Sequence, residues 1–165
     1  MTDTKPAFTA AGRNRARKLA MQGLYQWEMT RNSAAGIEAQ FHSDNDMEKV
    51  DTEYLNDLLF GAIKLLDAGD GQGNELDNVY LTHLTSVKMD ELDPVTKAIL
   101  RSASYELKER ADVPYRVAIA EAITLSRKFC AKDTHKFVNG VLDKVAAHHR
   151  KAEFDADRNK TRSLF

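Results

Sequence analysis

LDPVTKAILRSASYELKERADVPYRVAIAEAITLSRKFCAKDTHKFVNGVLDKV occupies Leu92–Val145 and reads as three helices in succession. Asp93-Pro94 is a start signal: an acidic N-cap, then a proline whose missing N–H costs nothing in a first helical turn. Val95, Ala98, Ile99, Ser102 and Ala103 follow at helical spacing. Pro114 opens the second helix. Its Val117, Ala118, Ile119, Ala120, Ala122, Ile123 and Leu125 are apolar on nearly every side, which predicts a central, buried helix. Asp133 or Thr134 caps the third, whose stripe is Val138, Val141, Leu142 and Val145.

The same period extends upstream. Ala16, Leu19, Ala20, Gly23, Leu24 and Trp27 form a core-facing stripe on a first helix. Ser33 is the N-cap of a short helix reaching about Phe41. Another runs from Asp51 to about Asp67. Gly69-Asp70-Gly71-Gln72-Gly73 breaks the pattern as a flexible loop, and helix resumes around Leu76–Leu84. With three prolines and no run of alternating polarity, the fold is expected to be all-α. After His149 the chain turns polar and unpatterned, which predicts a loose tail. The expected layout is one domain over residues 10–150, with helical subdomains 10–85 and 86–150 and flexible termini at 1–9 and 151–165.

Composition narrows the classes of function. The chain has 165 residues, 42% hydrophobic and 30% charged, as in a soluble globular domain. No apolar run approaches the roughly 20 residues that span a bilayer, so no membrane association is expected. The first residues lack the apolar stretch of a signal peptide. A lone cysteine, Cys130, forbids an intrachain disulfide, and the expected compartment is the reducing cytoplasm. Net charge is -1, which excludes nucleic-acid binding through overall basicity. Charge is nevertheless segregated. Residues 1–18 carry Lys5, Arg13, Arg15, Arg17 and Lys18 against Asp3, whereas residues 38–57 carry seven acids against Lys49.

Turning the first helix at 100° per residue places Arg15, Lys18, Gln22 and Tyr25 outward, with Arg13 and Arg17 flanking the stripe. Such a cluster attracts phosphates, and arginine forks bind them in bidentate fashion. It also describes an ordinary solvated face. On the last helix Phe137 lies about 90° from the stripe centre, at the margin of the core, and Lys136 points away from it. An edge aromatic beside lysines suits stacking on an unpaired base; it can equally complete the core. Asp133 can cap the helix or accept from a base.

Signs of chemistry are sparse. Cys130 and His135 are five residues apart without a third orienting group, so a buried thiol is the simpler reading. His148 and His149 face different directions and supply too few ligands for a metal. The glycine loop lacks the lysine and hydroxyl of a phosphate-binding loop. Glu121 has no partner at a spacing that would make it a catalytic acid, and is expected to be a satisfied polar residue. A protein adaptor whose basic helix meets an acidic partner stays open beside an RNA binder.

Five strings together resemble the NusB family of bacterial transcription antitermination factors: RNRARKLAMQGLYQWEM (Arg13–Met29), DLLFGAIK (Asp57–Lys64), LDPVTKAILRSASYEL (Leu92–Leu107), DVPYRVAIAEAITLSRKF (Asp112–Phe129) and HKFVNGVLDKV (His135–Val145). The resemblance implies two small packed helical bundles of about seven helices. It implies binding, without catalysis or cofactor, to the boxA element of ribosomal-RNA leader transcripts as single-stranded RNA. Binding would be shared with the ribosomal protein NusE, within a larger complex on RNA polymerase. Carried over residue by residue, the RNA contacts are Arg13, Arg15 and Arg17 on the first helix and Asp133, Lys136 and Phe137 before and on the last. Tyr25 carries the NusE contact. Four features depart from the family pattern. Asn14 stands where another basic residue is usual, Thr96 where an acid is usual, Gly69–Gly73 reads as an insertion, and residues 150–165 have no counterpart. A NusB-like domain also accompanies ribosomal-RNA cytosine methyltransferases, and the absence of a methyltransferase region favours the antitermination reading.

Overall fold

The computed structural model describes residues 9–84 and 87–163. The expectation of a flexible start at residues 1–8, like that for residues 164 and 165, falls outside them. Eight α-helices are described: α1 Ala10–Thr30, α2 Ala34–Asp44, α3 Thr52–Asp67, α4 Glu75–Leu81, α5 Pro94–Glu109, α6 Tyr115–Phe129, α7 Thr134–His149 and α8 Lys151–Ser163, with one 3-10 turn at Met89–Glu91. Among the described residues the only β-type pairing is the isolated bridge Asp70–Gly73, which closes the glycine loop.

Local signals set most boundaries. Thr9 Oγ1 accepts from the Gly12 amide at 2.9 Å and starts α1. Ser33 accepts from Gly36, Asp51 from Tyr54, and Asn74 from Asp77. Asp93 caps α5 by accepting from Val95 and Thr96, with Pro94 at the first turn. At the far end of α1, Arg31 adopts the left-handed conformation (φ 58°) and its guanidinium stacks 3.8 Å from the Trp27 ring. Side-chain capping fails at α7. Asp133 occupies the N-cap position in the left-handed region (φ 71°), and its carboxylate makes no capping bond.

The predicted stripe of α1 is buried throughout. At Gly23 a methyl group would lie 2.7 Å from Leu59 and 3.2 Å from both Ile37 and Phe41, so α1, α2 and α3 meet where no side chain intervenes. A comparable close approach at Gly61 lets Tyr105 cross α3 and donate to Asp57 at 2.8 Å.

The central helix is α5, not α6. Every residue from Ala98 to Leu107 is buried, and α5 packs against α1, α3, α6 and α7. In α6, Val117 is 41% exposed and Ala120 and Thr124 face solvent. Composition misleads here for a physical reason. Alanine and valine lose little by exposure, whereas the charged residues Arg101 and Glu106 of α5 are buried as ion pairs. Arg101 donates to Asp77 and Glu28, and Glu106 accepts from Arg17. Burial opposes the charge on Arg101, but hydrogen bonds and attraction from Asp77 outweigh it and hold its pKa above the ordinary value.

The expected loose tail is also corrected, because residues 151–163 form α8. Phe154 packs 5.5 Å from the Tyr115 ring. Glu153 accepts from the Tyr115 amide, and Asp157 accepts from the Tyr115 hydroxyl and pairs with Arg116. A single apolar residue and its ion pairs hold this helix, too little periodicity to stand out in the chain. Among the described residues, no helix is long and apolar enough to cross a membrane.

Candidate nucleic-acid interface

The basic end of α1 lies beside the second half of α6. Between them runs an open groove of ≈ 420 Å³ walled by Asn14, Arg15 and Lys18 on one side and Glu121, Thr124, Leu125 and Lys128 on the other. At its end stands Phe129, 36% exposed, with the ammonium groups of Lys128 and Lys18 at 5.5 and 5.8 Å from its ring. The α6 residues recur at i, i+3, i+4 and i+7, one helical face. Read for polarity instead of burial, that spacing was a signal in the sequence, but the abundance of apolar residues masked it.

The three arginines expected on this surface divide. Arg15 is exposed and gives one donor to the Lys49 carbonyl at 3.3 Å. Arg13 keeps only 11% of its side chain exposed, stacked 4.4 Å from the Tyr54 ring and within 4 Å of Asp51 and Asp112. Arg17 corrects the expectation outright. It is buried, it donates to both oxygens of Glu106 at 2.8 and 3.0 Å, and Asn14 accepts from it at 2.8 Å. Burial disfavours its charge, yet the Glu106 hydrogen bonds and charge hold its pKa above normal. The helix turns Arg17 toward α5 because positions 16, 17, 20 and 24 share one arc once α5 replaces solvent on that side. Asn14, which departs from the family pattern, therefore orients an arginine.

The α6–α7 junction carries the remaining expected residues. Asp133 and Lys136 are exposed and pair loosely at 3.5 Å. Phe137 is half-buried against the core, as its angle predicted. It borders a second groove of ≈ 290 Å³ shared with His83, Leu84, Val87, Gly140, Val141 and Lys144. The structure thus brings Lys18 and Lys128 to Phe129, keeps Arg15 in the groove that both lysines line, and sets Phe137 in a separate groove along α7. Tyr25 is 39% exposed, with Met29 (58% exposed) one turn further on the same face of α1.

Other suspected residues take structural places. Thr96 is buried, donates to Asp93 at 2.6 Å and lies 3.7 Å from the Cys130 sulfur, so it belongs to a cap and not to a surface. Burial pushes the Cys130 thiol upward, and no hydrogen bond joins it to His135 among the described residues. No group of three metal-ligating side chains occurs among them either.

Comparison with known proteins is direct. The NusB family matches residues 14–147. The chain is 56% identical to the transcription antitermination protein NusB of Teredinibacter turnerae, over 92% of this chain and 98% of that one. It is 51% identical to the NusB protein of Saccharophagus degradans, over 91% and 95%. Among solved structures, T. maritima NusB superposes with a TM-score of 0.68 at 28% identity, covering 87% of this chain and 96% of the other. A chain from the complex of antitermination factors NusB and NusE with dsRNA has the same fold, with a TM-score of 0.67 at 22% identity over 85% and 99%.

Proposed function

The chain belongs to the NusB family, and from that premise we propose that it is a transcription antitermination factor that binds boxA RNA of ribosomal-RNA leader transcripts as a single strand, together with the ribosomal protein NusE. It acts by binding, without catalysis, and joins an antitermination complex on RNA polymerase. The observation that carries this reading is the groove lined by Arg15, Lys18 and Lys128, with the two lysines over the exposed ring of Phe129, on an otherwise near-neutral protein. Cations there neutralise phosphates and release counterions, giving affinity with little sequence choice. Choice comes from unstacked bases on Phe129 and Phe137.

The arginines contribute unequally. Arg15 meets phosphate directly. Arg13 and Arg17 lie beneath, where their pairs with carboxylates fix α1 under the exposed Arg15. Asp133 lies in the turn before α7, and Lys136 lines the second groove beside Phe137, where a strand leaving Phe129 would arrive. Tyr25 and Met29 offer NusE an apolar patch on the far half of α1, and two RNA-binding proteins joined in this way bind one strand more tightly than either alone.

Fluorescence anisotropy with boxA, a scrambled boxA and a boxA duplex, each with and without NusE, tests the reading. The expected order is boxA with NusE tightest and scrambled RNA weakest; equal affinity for boxA and its scramble removes it. Arg15→Ala should flatten the salt dependence of log K by ~0.7, the loss of one single-strand phosphate contact. Phe137→Ala should weaken boxA binding by ~1–3 kcal/mol, the loss of one stacked base, and reduce the preference for boxA over the scramble, with the helical spectrum retained. An unchanged slope would take Arg15 off the RNA, and an unfolded Phe137→Ala protein would return that ring to the core.

A further inference from the structure

One wall of the α1–α6 groove carries a residue out of keeping with its surroundings. Glu121 is half-buried among Arg15, Lys18 and Lys128, yet it makes no hydrogen bond or ion pair with any described residue. Its cationic neighbours are turned elsewhere: Arg17 to Glu106 and Asn14, Arg15 to the Lys49 carbonyl, and both lysines toward Phe129. An unpaired carboxylate here weakens the groove's attraction for phosphate. It makes no bond within the described fold, so both its oxygens stay open to a ligand that brings donors.

A single-stranded transcript brings such donors on the open Watson–Crick edges of its bases. A carboxylate accepts only, through two oxygens set side by side. Guanine matches it with the parallel donors N1–H and N2–H. Uracil presents carbonyl oxygens on both sides of a single N–H and is repelled. Leu125 lies on the same wall and gives a base plane an apolar seat, and Phe129 stands two turns beyond Glu121. We propose that Glu121 is a base-reading residue that selects guanine at one position of the bound strand. The inference rests on the RNA-binding reading above.

A single guanine walked through a uridine oligonucleotide, with inosine as a partner lacking the N2 amino group, provides the probe. For the wild-type chain, anisotropy should show one position at which guanine is preferred over uridine by roughly tenfold, with inosine between them. Glu121→Ala should bring the three to parity at that position and leave the affinity for plain oligouridine equal or tighter. Glu121→Gln, which keeps one acceptor and the side-chain volume, should give an intermediate preference. Since Glu121 has no partner in the fold, both variants should melt at the wild-type temperature. A preference that survives Glu121→Ala, or a tightening of all RNAs by one common factor, overturns the inference by reducing Glu121 to a modulator of potential. Binding by the wild type with no guanine-preferring position overturns this inference alone, whereas no binding to any RNA overturns the RNA-binding reading with it.

Discussion

Glu106→Ala is expected to destabilise the protein by about 3–5 kcal/mol, the largest effect of any single substitution proposed for it. Glu106 is 2% exposed, and its two oxygens accept from Arg17, which is 6% exposed. Removing the carboxylate strands a guanidinium in the seam between α1 and α5, where Asn14 still accepts from it and Tyr54 lies beside it. For a chain of this length the loss corresponds to a fall of roughly 10 °C in Tm. Urea denaturation at neutral pH measures it. The double variant Arg17→Met, Glu106→Leu should recover most of the loss, because a well-packed apolar pair often equals a buried ion pair. A loss below about 1 kcal/mol for Glu106→Ala would mean that Arg17 reaches water and the seam is open.

Arg150→Ala should cost about 3 kcal/mol for a different reason. Arg150 is buried at the break between α7 and α8, and its fork satisfies backbone carbonyls in the last turn of α5 and in the loop that follows. Its Nε donates to Leu107 at 2.7 Å, Nη1 to Val113 at 2.9 Å and Nη2 to Arg110 at 2.5 Å, and Nη1 also meets Glu153 at 2.8 Å. Truncation takes this donor from the Leu107 and Val113 carbonyls, while the Arg110 carbonyl keeps the Val113 amide. Arg150→Lys should recover less than half, since one ammonium cannot reach carbonyls spread across a planar fork. Guanidinium melts of both variants check the order. Hydrogen exchange over residues 151–163 should rise in parallel, because Glu153 loses the anchor that joins α8 to the body. Full stability in Arg150→Lys would show that charge and not the fork matters.

These two arginines illustrate how far the chain could be read. Asp93-Pro94, Ser33 and Asp51 announced helices that the structure contains, because a cap is a local bond between residues two or three apart. The α1 stripe was legible for the same reason. The position of α5 was not. Arg101 and Glu106 look like a surface, and nothing nearby in the chain announces Asp77, Glu28 or Arg17 as their partners. Asp133 likewise looks like a cap, but its backbone turns left-handed and takes the carboxylate away from the α7 amides. In the candidate interface, Arg15, Tyr25, Lys136 and the marginal seat of Phe137 followed from helical angle alone. The burial of Arg17, the pairing of Arg13 and the meeting of Lys18 with Phe129 required α5, α3 and α6 to be in place.

Local periodicity and capping chemistry are enough to establish an all-helical chain with a cationic first turn and a lysine-rich junction before α7, since both act over one or two turns of backbone. Which of those cations meet solvent is a property of the assembled helices. The guanidinium groups of Arg13 and Arg17 go to the carboxylates the packing brings within reach, and those lie 38 to 99 residues away along the chain, as Asp51 and Asp112 do from Arg13, while Arg15 finds only a backbone carbonyl and stays exposed.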